Sequence, residues 1–353
     1  MNQILSQRIT SLRFLLIVFV IFIHNNIFFI NLGTGTVVLD IPPYVSHIKY
    51  LVSDIIARIA VPLFFLISGY LLYLKENTFF QILTKKTKTI AVPYLVWTSL
   101  AILLFALGQH LTFTKAFFAN PQNNITNFDI LDYIDAVVGR FTVRSPYPLV
   151  YQFWFLRDLI LLNFSAIIFK KIIDKFPIAF LFLAIFFWIV DYNLYLYSAE
   201  SMLFFVLGYY IHKYNLTTDK IDSIQYFDIL LLYAITICIE LFCPQYRQII
   251  HKINIIIGAV LAIKLSLVFV LKERIFNVLS QLSAYAFFVY AMHEPLLTVL
   301  RKISIKIMPT YGIYVLIQYF MVAFVCIAIC LVVGVVLRKS VPKLYEFLSG
   351  GRA

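Results

Sequence analysis

Two histidines stand within long apolar stretches of this chain, and each has ionisable neighbours at helical spacing. His24 closes the run Arg13-Phe-Leu-Leu-Ile-Val-Phe-Val-Ile-Phe-Ile-His24, and His293 sits in Tyr290-Ala-Met-His293-Glu294-Pro295. An imidazole, with an ordinary pKa near 6.5, can take and return a proton at neutral pH. That is the help a poorly nucleophilic hydroxyl needs when it attacks a carbonyl. Arg13 and His24 are about three helical turns apart, on one face and roughly 16 Å from each other. Asp54 and Arg58 form an i, i+4 pair in the favourable order, acid first. Arg157 and Asp158 are adjacent, so they point in different directions and need partners on other helices. Arg58 or Arg157 could stabilise a tetrahedral oxyanion. Asp54, Asp158 or Glu294 could orient a histidine, and the sequence does not choose among them. Ser68-Gly69-Tyr70 allows close helix approach, and Lys85-Lys86-Thr87-Lys88 supplies cations suited to a phosphorylated ligand. Each feature also has a plain structural reading: a snorkelling arginine, a hydrogen-bonded buried histidine, an inter-helix ion pair, glycine packing, or lysines that only mark topology.

The elements that must hold these groups are membrane helices. Of 353 residues, 62% are hydrophobic, with 35 Phe and 23 Tyr, while only 13% are charged. Soluble domains carry about 25% charged residues, so this chain cannot clothe a globule of its size. Ten apolar windows are expected to span, at about 12–31, 51–74, 89–109, 149–169, 177–190, 199–211, 227–243, 253–271, 282–300 and 311–337. The fold class is therefore all-α: a polytopic integral membrane protein with about ten transmembrane helices, forming one domain over residues 1–353. The net charge of +12 is gathered in short clusters between apolar runs, which reads as loop topology and not nucleic-acid binding. The larger share of Lys and Arg falls on the cytoplasmic side if both termini are inside, with Arg301, Lys302 and Lys306 as exceptions. The apolar N-terminal stretch is too long for a cleaved signal and reads as a retained anchor. The loop at about 110–148, carrying Asp129, Asp132, Asp135, Arg140 and Arg144, is then outside. Cys238, Cys243, Cys326 and Cys330 lie in or at the end of apolar runs and read as packing residues, with no metal site.

Ionisable residues within spans are costly and mark function by default. Here they sort by depth. Arg13, Ser68, Tyr70, Lys85 and Lys88 are placed towards the cytoplasm. His24, Asp54, Arg58, Arg157, Asp158, His293 and Glu294 are placed at mid-depth or beyond. Cations below and an acid–base set above suit a cytosolic acyl thioester of coenzyme A as donor and an acceptor outside.

These residues resemble the acyltransferase-3 family of integral membrane acyltransferases, over about residues 8–340. The family's basic-x10-His element matches Arg13 and His24, and its Phe-Phe-x-x-Ser-Gly element matches Phe64, Phe65, Ser68 and Gly69. Lys85 and Lys88 ahead of Pro93 match a basic-x-x-basic element in which arginine is usual. Trp154-Phe155-Leu156 and Tyr290-x-x-His293-x-Pro295 match two more. The chain is most similar to the stand-alone subgroup that O-acetylates surface polysaccharides. The resemblance implies an acetyl-CoA-dependent O-acetyltransferase of the bacterial inner membrane, acting on a cell-surface glycan or its lipid-linked precursor. It implies His24 as general base or transient acyl carrier, with His293 in support. Arg13, Ser68, Tyr70, Lys85 and Lys88 would hold the donor. Two rivals share the composition: a flippase for a lipid-linked glycan, and a non-catalytic subunit of a polysaccharide synthase.

Overall fold

The structure is a computed structural model and describes residues 3–26, 29–31, 36–74, 78–112, 114–118, 123–139, 147–192 and 194–352. Every apolar window contains a helix. The ten are α1 (Gln3–His24), α2 (Ala60–Tyr73), α3 (Val92–His110), α4 (Trp154–Lys175) and α5 (Pro177–Ile189), followed by α6 (Ala199–Lys213), α7 (Tyr226–Phe242), α8 (Arg247–Leu271), α9 (Ala286–Ile307) and α10 (Ile313–Ser340). Among the described residues the only sheet is a three-residue ribbon, Phe29–Asn31 against Thr36–Val38. The chain is an all-α, multi-pass membrane protein.

The expected count of ten spans divides by length. Six continuous helical runs are long and apolar enough to cross a bilayer, and the bent pair Glu273–Ser283 with Ala286–Ile307 makes a seventh if taken together. The helices α5, α6 and α7 have 13, 15 and 17 residues. At about 1.5 Å per residue, α5 covers roughly 20 Å of a ~30 Å hydrocarbon core. The first span also differs from its window, since α1 starts at Gln3 and stops at His24. His24 is the last helical residue. Asn25 follows it, and its buried side-chain amide donates to the Tyr319 carbonyl at 2.6 Å.

The chain forms two compact units, each drawn from three segments. Unit one comprises Met1–Val20, Tyr50–Thr87 and Asp158–Ala286; unit two comprises Ile21–Lys49, Lys88–Arg157 and Phe287–Ala353.

Within unit one, α2 and α6 approach closely because glycine faces backbone on both sides. A Cβ on Gly69 would lie 2.0 Å from the Phe205 carbonyl oxygen, and one on Gly208 would lie 2.3 Å from the Tyr70 nitrogen. Ser198 caps α6 by accepting from Ser201 N at 3.0 Å. Arg8, buried near the start of α1, donates two 2.7 Å hydrogen bonds to Asp222 and a third, at 2.9 Å, to Ser266 on α8.

Within unit two, the Trp97 indole donates to the Leu348 carbonyl at 3.0 Å, and Phe288 packs against the buried Tyr345 ring. Part of the long loop is ordered by its own acids. Asp129 accepts from Asp132 N at 2.8 Å and Asp132 accepts from Asp129 N at 3.0 Å, a reciprocal cap for the helix Ile130–Val138. Arg140 and Arg144 lie outside the described residues.

Candidate active site

The site in unit two is built where α9 breaks. Glu294 has φ −110° and ψ 136°, outside the helical region. Pro295 is the cause, because a proline pushes the residue before it out of the α conformation. Beside the break, His293 is fully buried and its Nδ1 lies 2.6 Å from the Tyr290 carbonyl. A carbonyl only accepts, so Nδ1 must carry the hydrogen, and the basic lone pair of the neutral ring is on Nε2. Buried Nε2 has no hydrogen-bond partner among the described residues.

His24, at the end of α1, meets that ring. The two centroids are 5.6 Å apart with planes 24° from parallel, and the Tyr151 ring stands edge-on to His24 at 4.8 Å. The Tyr151 hydroxyl donates to Glu294 Oε1 at 3.3 Å, and Arg301 Nη2 is 3.6 Å from the same oxygen. Arg301 is itself positioned by bonds to the Asn26 carbonyl and the Thr298 hydroxyl, both 2.8 Å. The Tyr290 hydroxyl donates to the Gln152 carbonyl at 2.7 Å. Among the described residues both polar atoms of the Gln152 side chain are buried without a partner, as are Asn25 Oδ1 and Arg301 Nε. Folded proteins pair nearly all such atoms, so these four and His293 Nε2 are available to water or a ligand.

The residues expected from sequence divide between the two units. His24, Lys88, Arg157 and His293, with Glu294, belong to unit two; Arg13, Asp54, Arg58, Ser68, Tyr70, Lys85 and Asp158 belong to unit one. His24, His293 and Glu294 come together. Arg157 is buried and donates to the Val138 carbonyl at 3.0 Å, which secures the end of the helix Ile130–Val138. Asp158 is fully buried and accepts from Ser198 N at 2.9 Å and the Ser201 hydroxyl at 3.0 Å, at the start of α6. Carboxylates are favoured there by the helix dipole. Ser68 and Tyr70 are half-buried on α2, flanking the glycine of the close contact; Arg13, Lys85 and Lys88 are exposed. Lys88 lies in a π-helical turn, Thr87–Ala91, between the Thr78-capped helix Phe79–Lys86 and α3. Cys326 and Cys330 are buried free thiols, whereas Cys238 is exposed.

Sequence reasoning missed Tyr151, Gln152 and Arg301. One signal was available for the last. Arg301 violates the charge rule for loops and follows Glu294 by about two turns on one helix face.

Fold and site together define a multi-pass helical membrane protein with two imidazoles beside a buried carboxylate and guanidinium, equipment for proton-assisted group transfer. A family model described as "Acyltransferase domain" matches residues 7–338, and the chain belongs to this family, acyltransferase 3. It is also similar to the succinoglycan biosynthesis protein ExoH of Rhizobium meliloti (strain 1021). The two are 25% identical over 376 residues, covering 100% of this chain and 94% of that protein. No solved structure matches.

Proposed function

We propose that this membrane acyltransferase moves an acetyl group from cytoplasmic acetyl-CoA to a hydroxyl of a cell-surface glycan, or of its lipid-linked precursor, in the bacterial inner membrane. Both termini are cytoplasmic in this reading. Family membership and the similarity to a succinoglycan biosynthesis protein support the reaction class and a polysaccharide acceptor. The carrying observation is the pair of stacked imidazoles, one with its tautomer set by the Tyr290 carbonyl.

His24, only half-buried, is the base that removes the acceptor hydroxyl's proton as its oxygen attacks the thioester carbonyl. The tetrahedral intermediate collapses as the C–S bond breaks, and the imidazolium returns the proton to the departing thiolate. His293 supports His24 by ring stacking, and its own ring is held by the Tyr290 carbonyl. The Gln152 amide, with no partner among the described residues, is the donor assigned to the oxyanion. Glu294, held by Tyr151 and Arg301, offsets positive charge gathering on the imidazoles. Arg13, Lys85 and Lys88 contribute the charge that coenzyme A phosphates require, a role supported by the family elements they match.

The test is coenzyme A release by purified protein given acetyl-CoA and glycan, with mass spectrometry of the product. Acetylated glycan formed by the wild type and not by His24→Ala protein is the expected result. Glycan left unmodified by folded wild-type protein that binds it would favour the flippase.

A further inference from the structure

At the Tyr50–Arg58 end of unit one lies a cleft of about 560 Å³. Small-ligand sites occupy roughly 300–1,000 Å³. Charged residues are numerous in its lining for a chain with 13% of them: Asp54, Arg58, Glu200 and Arg247 contribute together with Gln248, and Pro244 and Ile255 are apolar patches.

Tyr50, Asp191, His251 and Lys252 also line the cleft, and each has a partner. Fully buried Glu240 accepts from the Tyr50 hydroxyl at 2.8 Å and the Asn254 amide at 2.6 Å, and pairs with His251 Nδ1 at 2.9 Å. Lys252 and Asp191 pair with each other at 2.5 Å, and Gln248 donates to the same carboxylate at 2.8 Å. Arg58 and Arg247 are left over. Among the described residues neither has a carboxylate partner; Arg247 lies over the Tyr50 ring at 5.2 Å and Arg58 is exposed. Tyr50 and Asp54 stand on a π-helical turn, Tyr50–Ile56, and Arg58 on the 3-10 turn that follows. π-turns are rare and recur at functional sites.

We infer that this cleft binds an acidic saccharide, with Arg58 and Arg247 on its carboxylate or phosphate and Asp54, Glu200 and Gln248 on its hydroxyls. Guanidinium forks match planar and tetrahedral oxyanions. A bare phosphate or a lipid headgroup fits the arginines but meets Asp54 and Glu200 as like charges. A polyhydroxylated ligand with one anionic group uses donors and acceptors alike, and its C–H faces can rest on Pro244 and Ile255. The inference rests on the acyltransferase reading only for why a saccharide reaches this protein, namely as acceptor.

The experiment is titration of the full chain in nanodiscs with a neutral oligosaccharide, a uronic-acid oligosaccharide and a sugar phosphate. Inorganic phosphate and phosphatidylglycerol serve as competitors. An acidic sugar should bind roughly tenfold or more tighter than the neutral one, and Arg58→Ala or Arg247→Ala should remove that preference with the melting temperature kept. Gln248→Ala should weaken neutral and acidic sugars alike. Equal affinity for neutral and acidic sugars, indifference to both arginine substitutions, or binding of phosphate and phosphatidylglycerol without sugar would overturn the inference. Arginine-dependent saccharide binding without acetyl transfer by the wild type would leave the cleft standing and sink the acyltransferase proposal. Transfer with unchanged acceptor KM in the Arg58→Ala/Arg247→Ala protein would do the opposite.

Discussion

His24 and His293 are stacked, yet their surroundings differ. His24 is half-buried; His293 is fully buried, with Nδ1 committed to a carbonyl, so the proposed mechanism gives the base role to His24. Replacing His24 by Ala should lower turnover by ~10²–10⁴-fold while acetyl-CoA still binds, measured by coenzyme A release and by donor titration. His293→Ala should cost less. A larger loss at His293 than at His24 would reverse the roles. Gln152 offers a sharper test, because its two unpartnered buried atoms make it a liability unless something uses them. Gln152→Leu should leave the melting temperature unchanged or raised, and reduce turnover by about 10²–10³-fold if the amide holds the oxyanion. Unchanged turnover would exclude that role. The two histidines and Glu294 were legible in the chain because each is polar in an apolar run. Gln152, Tyr151 and Arg301 were not, since their importance depends on which neighbours folding brings to them.

Helices in this protein are placed by small residues and by buried ion pairs. Gly69 and Gly208 face backbone, not a yielding side chain, so a methyl group at either must push α2 and α6 apart. Gly69→Ala should destabilise the protein by about 1–3 kcal/mol, read from thermal unfolding in detergent, even though alanine favours helix. The Ser68-Gly69 pair was visible as a packing candidate in the sequence; its partner helix was not. The Arg8–Asp222 pair has a pH signature. Hydrogen bonds from Arg8, against the opposing effect of burial, hold the Asp222 carboxyl below the usual carboxylate range. A carboxyl lowered in the folded state contributes fully above its unfolded pKa, near 3.9, and loses that contribution as pH falls through the folded value. Asp222→Asn removes the counter-charge of buried Arg8 while its bonds to Ser266, Thr218 and the Ile263 carbonyl remain, and should cost about 1–3 kcal/mol at neutral pH while flattening the acid limb of the stability curve. An acid limb identical to that of the wild type would show that the pair does not titrate with folding.

For the whole chain, the proposed orientation rests on the distribution of Lys and Arg. With both termini inside, engineered cysteines near Lys86 and after Arg338 should resist an impermeant thiol reagent in intact cells, while one near Asn124 should react. The reverse pattern would invert the topology. Class and family were legible from the sequence alone. Apolar runs of bilayer length need no partner to be recognised, and the short elements around Arg13, Ser68-Gly69, Trp154 and His293 are contiguous in the chain. Span count and helix ends were less so, because hydropathy continues past His24 whereas the helix stops there. Composition equally could not separate α5, α6 and α7 from helices of crossing length. The division into two units, the joining of Tyr151, Glu294 and Arg301, the assignment of Asp158 to the start of α6, and the cleft around Arg58 and Arg247 were decided by tertiary structure. Each depends on contacts between segments far apart in the chain, and a side chain's hydrogen-bond partner is a property of the fold, not of its sequence neighbours.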